Sequence, residues 1–226
     1  MLLRNIVKMK KIDTIIFDMG GVLVDLDLEA CKTAFKDDLG FMEIDDIIDA
    51  CHQKGPWGEM EAGNISAEEF RDSILTRSYP GMSPEDVDKA VEKILVGIDP
   101  AKVRLLKRLS ESYDIYMLSN NNPIAFAAAV KIFAEAGLEL DRYFKKCYIS
   151  YEMKLVKPCD KIFKDVVADI GKEPERMLFI DDSQINVDAS IAAGLPAVFY
   201  SPGSDMASLL ADVLNDPSLA KGGVSC

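Results

Sequence analysis

The sequence predicts an α/β fold, a doubly wound parallel sheet into which a domain of helices is inserted after the first strand. A short β-rich apolar run covers residues 12–17, and from 100 to 200 strand-length apolar runs alternate with helix-length segments. Such alternation is typical of βαβ units in a parallel sheet. Residues 28–96, by contrast, follow a helical pattern without strand-like alternation. We therefore predict a core domain of residues 1–27 and 97–226 and an inserted helical domain of residues 28–96.

The predicted elements of the core follow the first strand in a regular order. Each later strand is a short apolar run, and the helices between strands begin near a proline or end near a glycine. A final short amphipathic segment follows Met206. We expect strands at 115–119, 146–150, 177–181 and 197–200, and helices at 100–112, 122–137, 158–171 and 185–194.

The inserted domain carries clear signals for helix starts. Ser66 and Glu69 have the spacing of a capping box, in which each side chain accepts a hydrogen bond from a backbone amide at the helix start. Ser83 precedes Pro84, which suits the first position of a helix, and Asp86 follows two residues later. These signals predict a small helical bundle.

The composition narrows the classes of function. The 226 residues are 49% hydrophobic and carry a net charge of −12, which argues against nucleic acid or an anionic membrane as the main partner. No apolar run reaches the length of a membrane span, and the five cysteines form no CxxC pair, so we expect a cytoplasmic protein. We expect a monomer or a weak homodimer, and either Met1 or Met9 could begin the native chain.

Several enzyme classes lack the residues that they require. His52 is the one histidine, so histidine phosphatases and histidine-rich metal sites are nearly excluded. A serine hydrolase would have to use His52 without a G-x-S-x-G turn, and no cysteine has the spacing to arginine of a cysteine phosphatase. The sequence also contains no G-x-x-x-x-G-K and no G-x-G-x-x-G loop.

Polar residues follow four of the predicted strands, three of them directly at the strand end and one in the loop after the strand. Right-handed crossovers place the carboxyl ends of parallel strands at one edge of the sheet, so we expect these residues to converge. Together they supply carboxylates, a hydroxyl, an amide and one ammonium. In chain order they are Asp18, Ser119 with Asn120, Lys157, and Asp181 with Asp182.

The residue types at these four positions suit a divalent cation and a phosphate group. Mg²⁺ prefers carboxylate oxygens and keeps water ligands that phosphate oxygens can replace. Lys157 could neutralise a phosphoryl group or keep Asp18 ionised. Ser119 and Asn120 are expected to open a helix whose free amides favour an anion. Asp18 would then be free to attack phosphorus. We infer Mg²⁺-dependent phosphoryl transfer, although residue types alone leave the nucleophile open.

Four motifs, in this order, resemble those of the haloacid dehalogenase (HAD) superfamily of hydrolases. They are FDMGGVLVD at residues 17–25, LSN at 118–120, KP at 157–158 with IF downstream, and IDDS at 180–183. The resemblance spans residues 12–200 and implies a Rossmannoid core, with the inserted helices as a C1 cap that covers the active site. It is specific for the fold and weak for the substrate.

The resemblance also implies roles for individual residues. Asp18 would be the nucleophile, forming an aspartyl-phosphate, and Lys157 would bridge Asp18 and the phosphate. The Mg²⁺ ligands would be Asp18, the backbone carbonyl of Gly20 and Asp182, with Asp181 beside them as a ligand or a supporting group. The substrate would contact Met19, Gly20, Ser119, Asn120 and Lys157.

One position departs from the pattern of the superfamily. Most of its phosphatases have Asp where this chain has Gly20 and use it as general acid and then base, and the loss of such a group costs about 10²–10⁴ in rate. A branch of bacterial sugar-phosphate phosphatases is similar to this chain in having GGV or GNV there. It includes enzymes that act on glucose 1-phosphate, whose leaving group needs less protonation. We therefore predict a Mg²⁺-dependent phosphatase that hydrolyses a small phosphate ester, such as a sugar phosphate, slowly or selectively for the leaving group.

Three alternatives stay open. A haloacid dehalogenase proper would use Asp18 to attack carbon without a metal, although Asp181 and Asp182 would bring such a site no benefit. A non-catalytic phosphosugar-binding protein would bind Mg²⁺ and phosphate without turnover. A phosphomutase would need a phosphorylated activator and would usually need the missing acid as well.

The residues that recognise the organic part of the substrate also stay open. Trp57 lies in what the sequence predicts to be a Gly/Pro-flanked turn, and with Lys54, His52 and Glu61 it could face the substrate. Packing of Trp57 in the apolar core is the favoured interpretation. Asn186, four residues after Asp182, could support the metal site.

Overall fold

The computed structural model describes residues 11–48 and 53–220, so the expectations for Met1, Met9 and His52 lie outside the described residues. Strands and helices alternate through the core part of the chain, as the sequence predicts. The strands of the described residues are β1 (Thr14–Phe17), β2 (Asp25–Leu26), β3 (Leu95–Gly97), β4 (Asp114–Ser119), β5 (Lys146–Ile149), β6 (Met177–Asp181) and β7 (Ala197–Phe199).

Five of these strands form one parallel sheet in the order β5, β4, β1, β6, β7. The chain moves from the central strand β1 outward to β4 and β5 on one side, and then to β6 and β7 on the other. This arrangement confirms the predicted doubly wound fold. Ligands of such sheets bind beyond the carboxyl ends of the strands, where the order reverses, which here is the end of β1.

Helices cover both faces of the sheet because successive residues of a strand point to opposite sides. Ile15 and Phe17 of β1 belong to one apolar cluster, and Ile16 belongs to another. No helix in the described ranges combines the length and the apolar composition that crossing a bilayer requires. The helices of the core are α6 (Pro100–Leu109), α7 (Pro123–Glu135), α8 (Leu140–Tyr143), α9 (Ser150–Met153), α10 (Asp160–Ile170), α11 (Gln184–Ala192) and α12 (Met206–Val213).

The inserted helices form an apolar cluster that includes Phe35, Trp57 and Phe70, and Ile124 and Ala125 of α7 join it from the core. Both predicted capping boxes are present: Ser66 pairs with Glu69, and Ser83 with Asp86. The first helix continues directly into a π-helical turn, residues Ala34–Asp38. The helices of the insert are α1 (Leu28–Thr33), α2 (Ile44–Ile47), α3 (Gly55–Glu61), α4 (Ala67–Leu75) and α5 (Pro84–Glu92).

The prediction that residues 28–96 contain no strand is wrong at one end. β3 pairs antiparallel with β2, and this two-stranded ribbon stands where the chain enters and leaves the insert. Asp25 of the ribbon also forms an ion pair of 2.7 Å with Lys102 of α6. Strands of two and three residues are too short to show alternation, and here pairing between distant segments stabilises them.

Candidate active site

The predicted convergence of the strand ends is found around Lys157. Its Nζ atom lies 3.0 Å from Oδ1 of Asp18 and 2.7 Å from Oδ2 of Asp181, and it donates a third bond to the carbonyl of Leu118 at 3.1 Å. The lysine side chain is 1% exposed. Lys157 follows α9, at the end of the loop that leads toward α10. Three separate strand ends therefore meet at one buried ammonium.

The electrostatics of the cluster are dominated by negative charge. Burial raises the pKa of Asp18, the ammonium of Lys157 lowers it, and the carboxylates of Asp181 and Asp182 raise it, with a net increase. Burial and Asp181 likewise raise the pKa of Asp182. For Lys157, burial lowers the pKa, but the charges of Asp18 and Asp181 raise it above its usual value. The ammonium is charged, and the three carboxylates together exceed its charge.

A divalent cation fits this donor set. Asp18, Asp181 and Asp182 each offer a carboxylate oxygen, and these oxygens lie within 4.8 Å of one another. Oxygen-only ligands suit Mg²⁺ better than softer metals. Its two positive charges would balance the charge that Lys157 leaves uncompensated.

Asp181 is the carboxylate that the surrounding protein holds most firmly. Besides Lys157, it accepts a hydrogen bond from the backbone amide of Ser183 at 2.8 Å and two from the side-chain amide of Asn186 at 3.1 and 3.2 Å. Asn186 therefore does support the acidic cluster. Asp182, the next residue, is only partly buried and lines the cavity described below.

The Gly20-Gly21 turn brings the backbone close to Asp182. Gly21 has φ +70°, and a Cβ atom there would lie 2.0 Å from Oδ2 of Asp182, so only glycine fits. Gly20 has no positive φ, and its Cβ would meet the end of the Leu26 side chain at 2.9 Å. The backbone amide of Met19 donates to Oδ1 of Asp18 at 2.7 Å, which fixes the carboxylate at the start of the turn.

Ser119 and Asn120 lie at the site but do not open a helix, so that expectation is wrong. α7 begins at Pro123, and the side chain of Asn122 accepts hydrogen bonds from the amides of Ile124 and Ala125 at 3.1 and 2.9 Å. Proline at the first helical position and asparagine before it define the helix start more strongly than Ser119 does.

Asn120 instead holds the loop that carries Lys157. Its side-chain oxygen accepts from the backbone amide of Lys157 at 2.8 Å, and its side-chain nitrogen donates to the carbonyl of Lys157 at 2.9 Å. The asparagine thereby joins the end of β4 to the lysine loop. Ser119 is 1% exposed and borders the same cavity.

A cavity of about 390 Å³ lies over these strand ends, and residues of the insert line its far side. Met19, Gly20, Ser119, Asn120 and Lys157, the predicted substrate contacts, all line it. Sequence reasoning missed Asn121 and Asn122, although the run of three asparagines after β4 could have indicated them. From the insert and the ribbon the cavity receives Gln53, Trp57, Gly58, Glu61, Leu26 and Leu95.

Of the proposed recognition residues of the insert that the structure describes, Trp57 and Glu61 line the cavity and Lys54 does not. Trp57 is 2% exposed and packs between Phe35 and Phe70, whose ring centroids lie 6.2 and 5.9 Å from its own. It also borders the cavity. It lies in α3 rather than in a turn, because Pro56 suits the first turn of a helix. Glu61, at the end of α3, lines the cavity, whereas Lys54 does not.

Comparison with known proteins agrees with this geometry. A family model described as haloacid dehalogenase-like hydrolase matches residues 12–194. The chain is 32% identical over 205 residues to the D-ribitol-5-phosphate phosphatase of Bacteroides thetaiotaomicron, and the match covers 90% of this chain and 99% of the relative.

Two solved structures resemble the chain over most of its length. One is a HAD family enzyme of Bacteroides thetaiotaomicron in complex with magnesium and inorganic phosphate, with a TM-score of 0.81 and 37% identity over 88% of this chain and 98% of the other. The second is a predicted HAD-like family hydrolase of Porphyromonas gingivalis, with a TM-score of 0.83 and 31% identity over 92% of this chain and 100% of the other.

Proposed function

This chain belongs to the haloacid dehalogenase-like hydrolase family, and we propose that it is a Mg²⁺-dependent phosphatase of a small phosphate ester, most plainly a sugar phosphate. One observation carries the proposal: the buried ammonium of Lys157 lies between Asp18 and Asp181, beside a third carboxylate. The similarity to a phosphatase that is named for a sugar-alcohol phosphate supports the substrate class.

We propose Asp18 as the nucleophile. Its Oδ1 atom is held by Lys157 at 3.0 Å and by the amide of Met19 at 2.7 Å. The other carboxylate oxygen is then the one that attacks phosphorus and forms an aspartyl-phosphate, which water hydrolyses in a second step. Lys157 favours the ionised form of Asp18 that attack requires, because its charge opposes the effect of burial on the pKa of Asp18, and it offsets the charge of the phosphoryl oxygens.

The metal ligands in this proposal are Asp18, Asp182 and the backbone carbonyl of Gly20, with Asp181 as a further ligand or a supporting group. The contacts of Asp181 with Lys157, Ser183 and Asn186 favour the supporting role. When bound, Mg²⁺ would offset the repulsion between the negatively charged phosphate and the carboxylates.

The phosphate group would be held by residues around the carboxyl ends of β1 and β4. Gly20, Ser119 and Asn120 line the cavity and would offer backbone amides and a hydroxyl to the phosphate, and Lys157 supplies the positive charge. The hydroxyl and the amides are neutral donors, so Lys157 alone among these groups brings a charge to the phosphate.

The inserted domain, residues 28–96, would act as the cap over the core of residues 1–27 and 97–226. The chain passes between the two through the ribbon of β2 and β3, which supports this division. A cavity of about 390 Å³ suits a small ester rather than a polymer. Closure of the cap would exclude water and bring side chains of α3 to the organic part of the substrate.

The test is phosphate release from D-ribitol 5-phosphate, glucose 1-phosphate and an aryl phosphate, each measured with Mg²⁺ and with chelator. We expect release that requires Mg²⁺ and disappears in Asp18→Asn. Phosphate release that persists in chelator would contradict the Mg²⁺ requirement. Halide release from a 2-haloacid in chelator, with no phosphate release from any ester, would favour the metal-independent dehalogenase. Intact Mg²⁺ binding without release from any ester would favour the non-catalytic binding protein.

Location and assembly remain proposals. The free thiols Cys31, Cys147 and Cys159 support a reducing compartment, hence a cytoplasmic protein. Sedimentation of the purified chain would test the prediction of a monomer or a weak homodimer.

A further inference from the structure

The cavity contains one acidic side chain that the metal cluster does not use. Asp18 and Asp182 are carboxylates of the cluster, and Gly20 offers no side chain at the position where an acid–base group is expected. Among the described residues that line the cavity, Glu61 is the remaining acid. It comes from the insert and therefore faces the strand ends from the opposite wall.

The carboxyl group of Glu61 is held in place by its own helix. The indole nitrogen of Trp57, one turn earlier in α3, donates to Oε1 of Glu61 at 2.8 Å. The indole is itself packed between Phe35 and Phe70 in the apolar cluster of the insert. One carboxyl oxygen of Glu61 is thus held by a buried donor, and the residue lines the cavity.

The backbone of Glu61 is tied to the core. Its carbonyl accepts a hydrogen bond of 2.6 Å from the hydroxyl of Ser150, which in turn accepts one of 3.0 Å from the backbone amide of Asn121. Two residues further on, a Cβ atom at Gly63 would lie 2.2 Å from the carbonyl of Tyr151, so the two backbones touch there. Glu61 therefore stands at a contact between insert and core, directly beside the loop that follows β4.

The surroundings leave Glu61 able to exchange a proton near neutral pH. Burial raises its pKa to about 7, and the hydrogen bond from Trp57 and the charge of Lys157 offset only part of that effect. The other charged side chains that line the cavity are Asp18 after β1 and Asp182 after β6. A carboxyl group with such a value is present in both forms, as an acid and a base must be.

We propose that Glu61 is the general acid and base of this enzyme and takes the role for which Gly20 has no side chain. The proposal rests on the phosphatase function proposed above. In the first step, a carboxylate oxygen of Asp18 bonds to phosphorus while the bond from phosphorus to the ester oxygen breaks. That oxygen takes the proton of Glu61 and leaves as an alcohol.

The second step returns the proton. The Glu61 carboxylate removes a proton from water, the water oxygen bonds to phosphorus, and the bond to Asp18 breaks. Inorganic phosphate leaves, Asp18 is again a carboxylate, and Glu61 is again protonated. The sum is one ester and one water converted to one alcohol and one phosphate.

The experiment compares Glu61→Gln with the wild type on an alkyl ester, D-ribitol 5-phosphate, and on an aryl phosphate. An aryl oxide leaves without taking up a proton. In the first turnover of Glu61→Gln we therefore expect a burst of aryl release at the wild-type rate. The steady-state rate then falls, and rapid acid quench traps an accumulated aspartyl-phosphate. With the alkyl ester we expect no burst and a fall in kcat of about 10²–10⁴.

Glu59→Gln is the matched control, because Glu59 lies in the same helix and bonds Asn64 outside the cavity. Glu59→Gln should keep the wild-type rates with both substrates. The proposal is overturned if Glu61→Gln loses activity toward the two substrates equally or if only its KM rises. Either result would identify Glu61 as a binding or structural residue. If the wild type itself releases phosphate from no ester, the proposed function has failed rather than this inference.

A restoring variant guards against damage to the fold. Gly20→Asp in the Glu61→Gln background would place a carboxyl group on the opposite wall, where only the flexible and partly exposed side chain of Leu26 must move. We expect kcat for the alkyl ester to rise at least about tenfold toward the wild-type value. If Gly20→Asp brings no such rise and Glu61→Gln keeps the pH profile of the wild type, an acid–base role of Glu61 is contradicted.

Discussion

Lys157 and Asp18 form an ion pair of 3.0 Å in which the lysine side chain is 1% exposed and the aspartate side chain 12% exposed. The same ammonium bonds Asp181 at 2.7 Å. Removal of one partner from a buried charge pair leaves the other charges uncompensated, which is far more costly than the loss of a surface pair. In the proposed function, the site chemistry and the stability of the fold therefore depend on the same lysine.

We expect Lys157→Met to abolish phosphate release and to lower the free energy of unfolding by about 3–5 kcal/mol at neutral pH. Chemical denaturation in chelator measures the loss, and added Mg²⁺ should recover part of it because the cation replaces the missing positive charge. Lys161→Met is the control, since Lys161 pairs with Asp165 at the surface and its removal should cost less than about 1 kcal/mol. An equal loss in both variants would contradict the central role of the buried cluster.

The adjacent glycines of the first turn should respond differently to substitution. Gly21→Ala places a Cβ atom 2.0 Å from Asp182, so we expect Mg²⁺ affinity to fall by about 10–100-fold. Gly20→Ala requires only a shift of the Leu26 side chain and should keep nearly wild-type affinity. Isothermal titration with Mg²⁺ compares the two, and equal affinities would mean that Asp182 is not a ligand.

Contact between the insert and the core should depend on Gly63. Gly63→Ala and Gly81→Ala both place alanine at positive φ, at a cost of about 1–2 kcal/mol each. At Gly63 the new Cβ would also lie 2.2 Å from the carbonyl of Tyr151, whereas at Gly81 it meets no atom within 4 Å. We expect Gly63→Ala alone to lower kcat/KM for a sugar phosphate, because it moves Glu61 away from the strand ends. A matching fall in Gly81→Ala would assign the effect to general strain.

Glu61 should make the stability of the protein depend on pH in a defined direction. Its pKa is raised in the folded state from 4.5 to about 7, so the folded protein binds this proton more tightly than the unfolded chain does. The contribution of Glu61 to the free energy of unfolding is therefore fully present below about pH 4.5 and is lost as the pH rises through about 7.

The free energy of unfolding of Glu61→Gln minus that of the wild type should be larger at pH 8 than at pH 4.5, by on the order of 2 kcal/mol. Denaturation in chelator across this range measures the difference, and Glu59→Gln should track the wild type throughout. A difference between Glu61→Gln and the wild type that does not change with pH would contradict burial as the source of the shift.

Much of the core could be predicted because its signals are local. The apolar run before Asp18 and the run before Asp181 are short, uniform and bounded by polar residues, so each predicts a buried strand by itself. The rule that parallel strands share one carboxyl edge then places Asp18, Asp181 and Lys157 together. No contact between distant residues had to be known for that step.

Other features were mistaken or missed because they depend on pairing between distant segments. β2 and β3 are too short for periodicity to show, and they exist because each pairs with the other across the whole insert. The start of α7 is a different case: the local signal Asn122-Pro123 predicts a helix from residue 122, as observed, and the expectation that Ser119 and Asn120 open it disagreed with that signal.

The sequence by itself determined which chemical groups stand at the strand ends, because strand period and crossover handedness translate local pattern directly into position. It did not determine which side chain of the insert faces those groups. Glu61 approaches the core through a hydrogen bond to Ser150, 89 residues later in the chain, and through the close contact of Gly63 with Tyr151. Such contacts are set by how the packed insert and core fit together, and only the tertiary structure decides that fit.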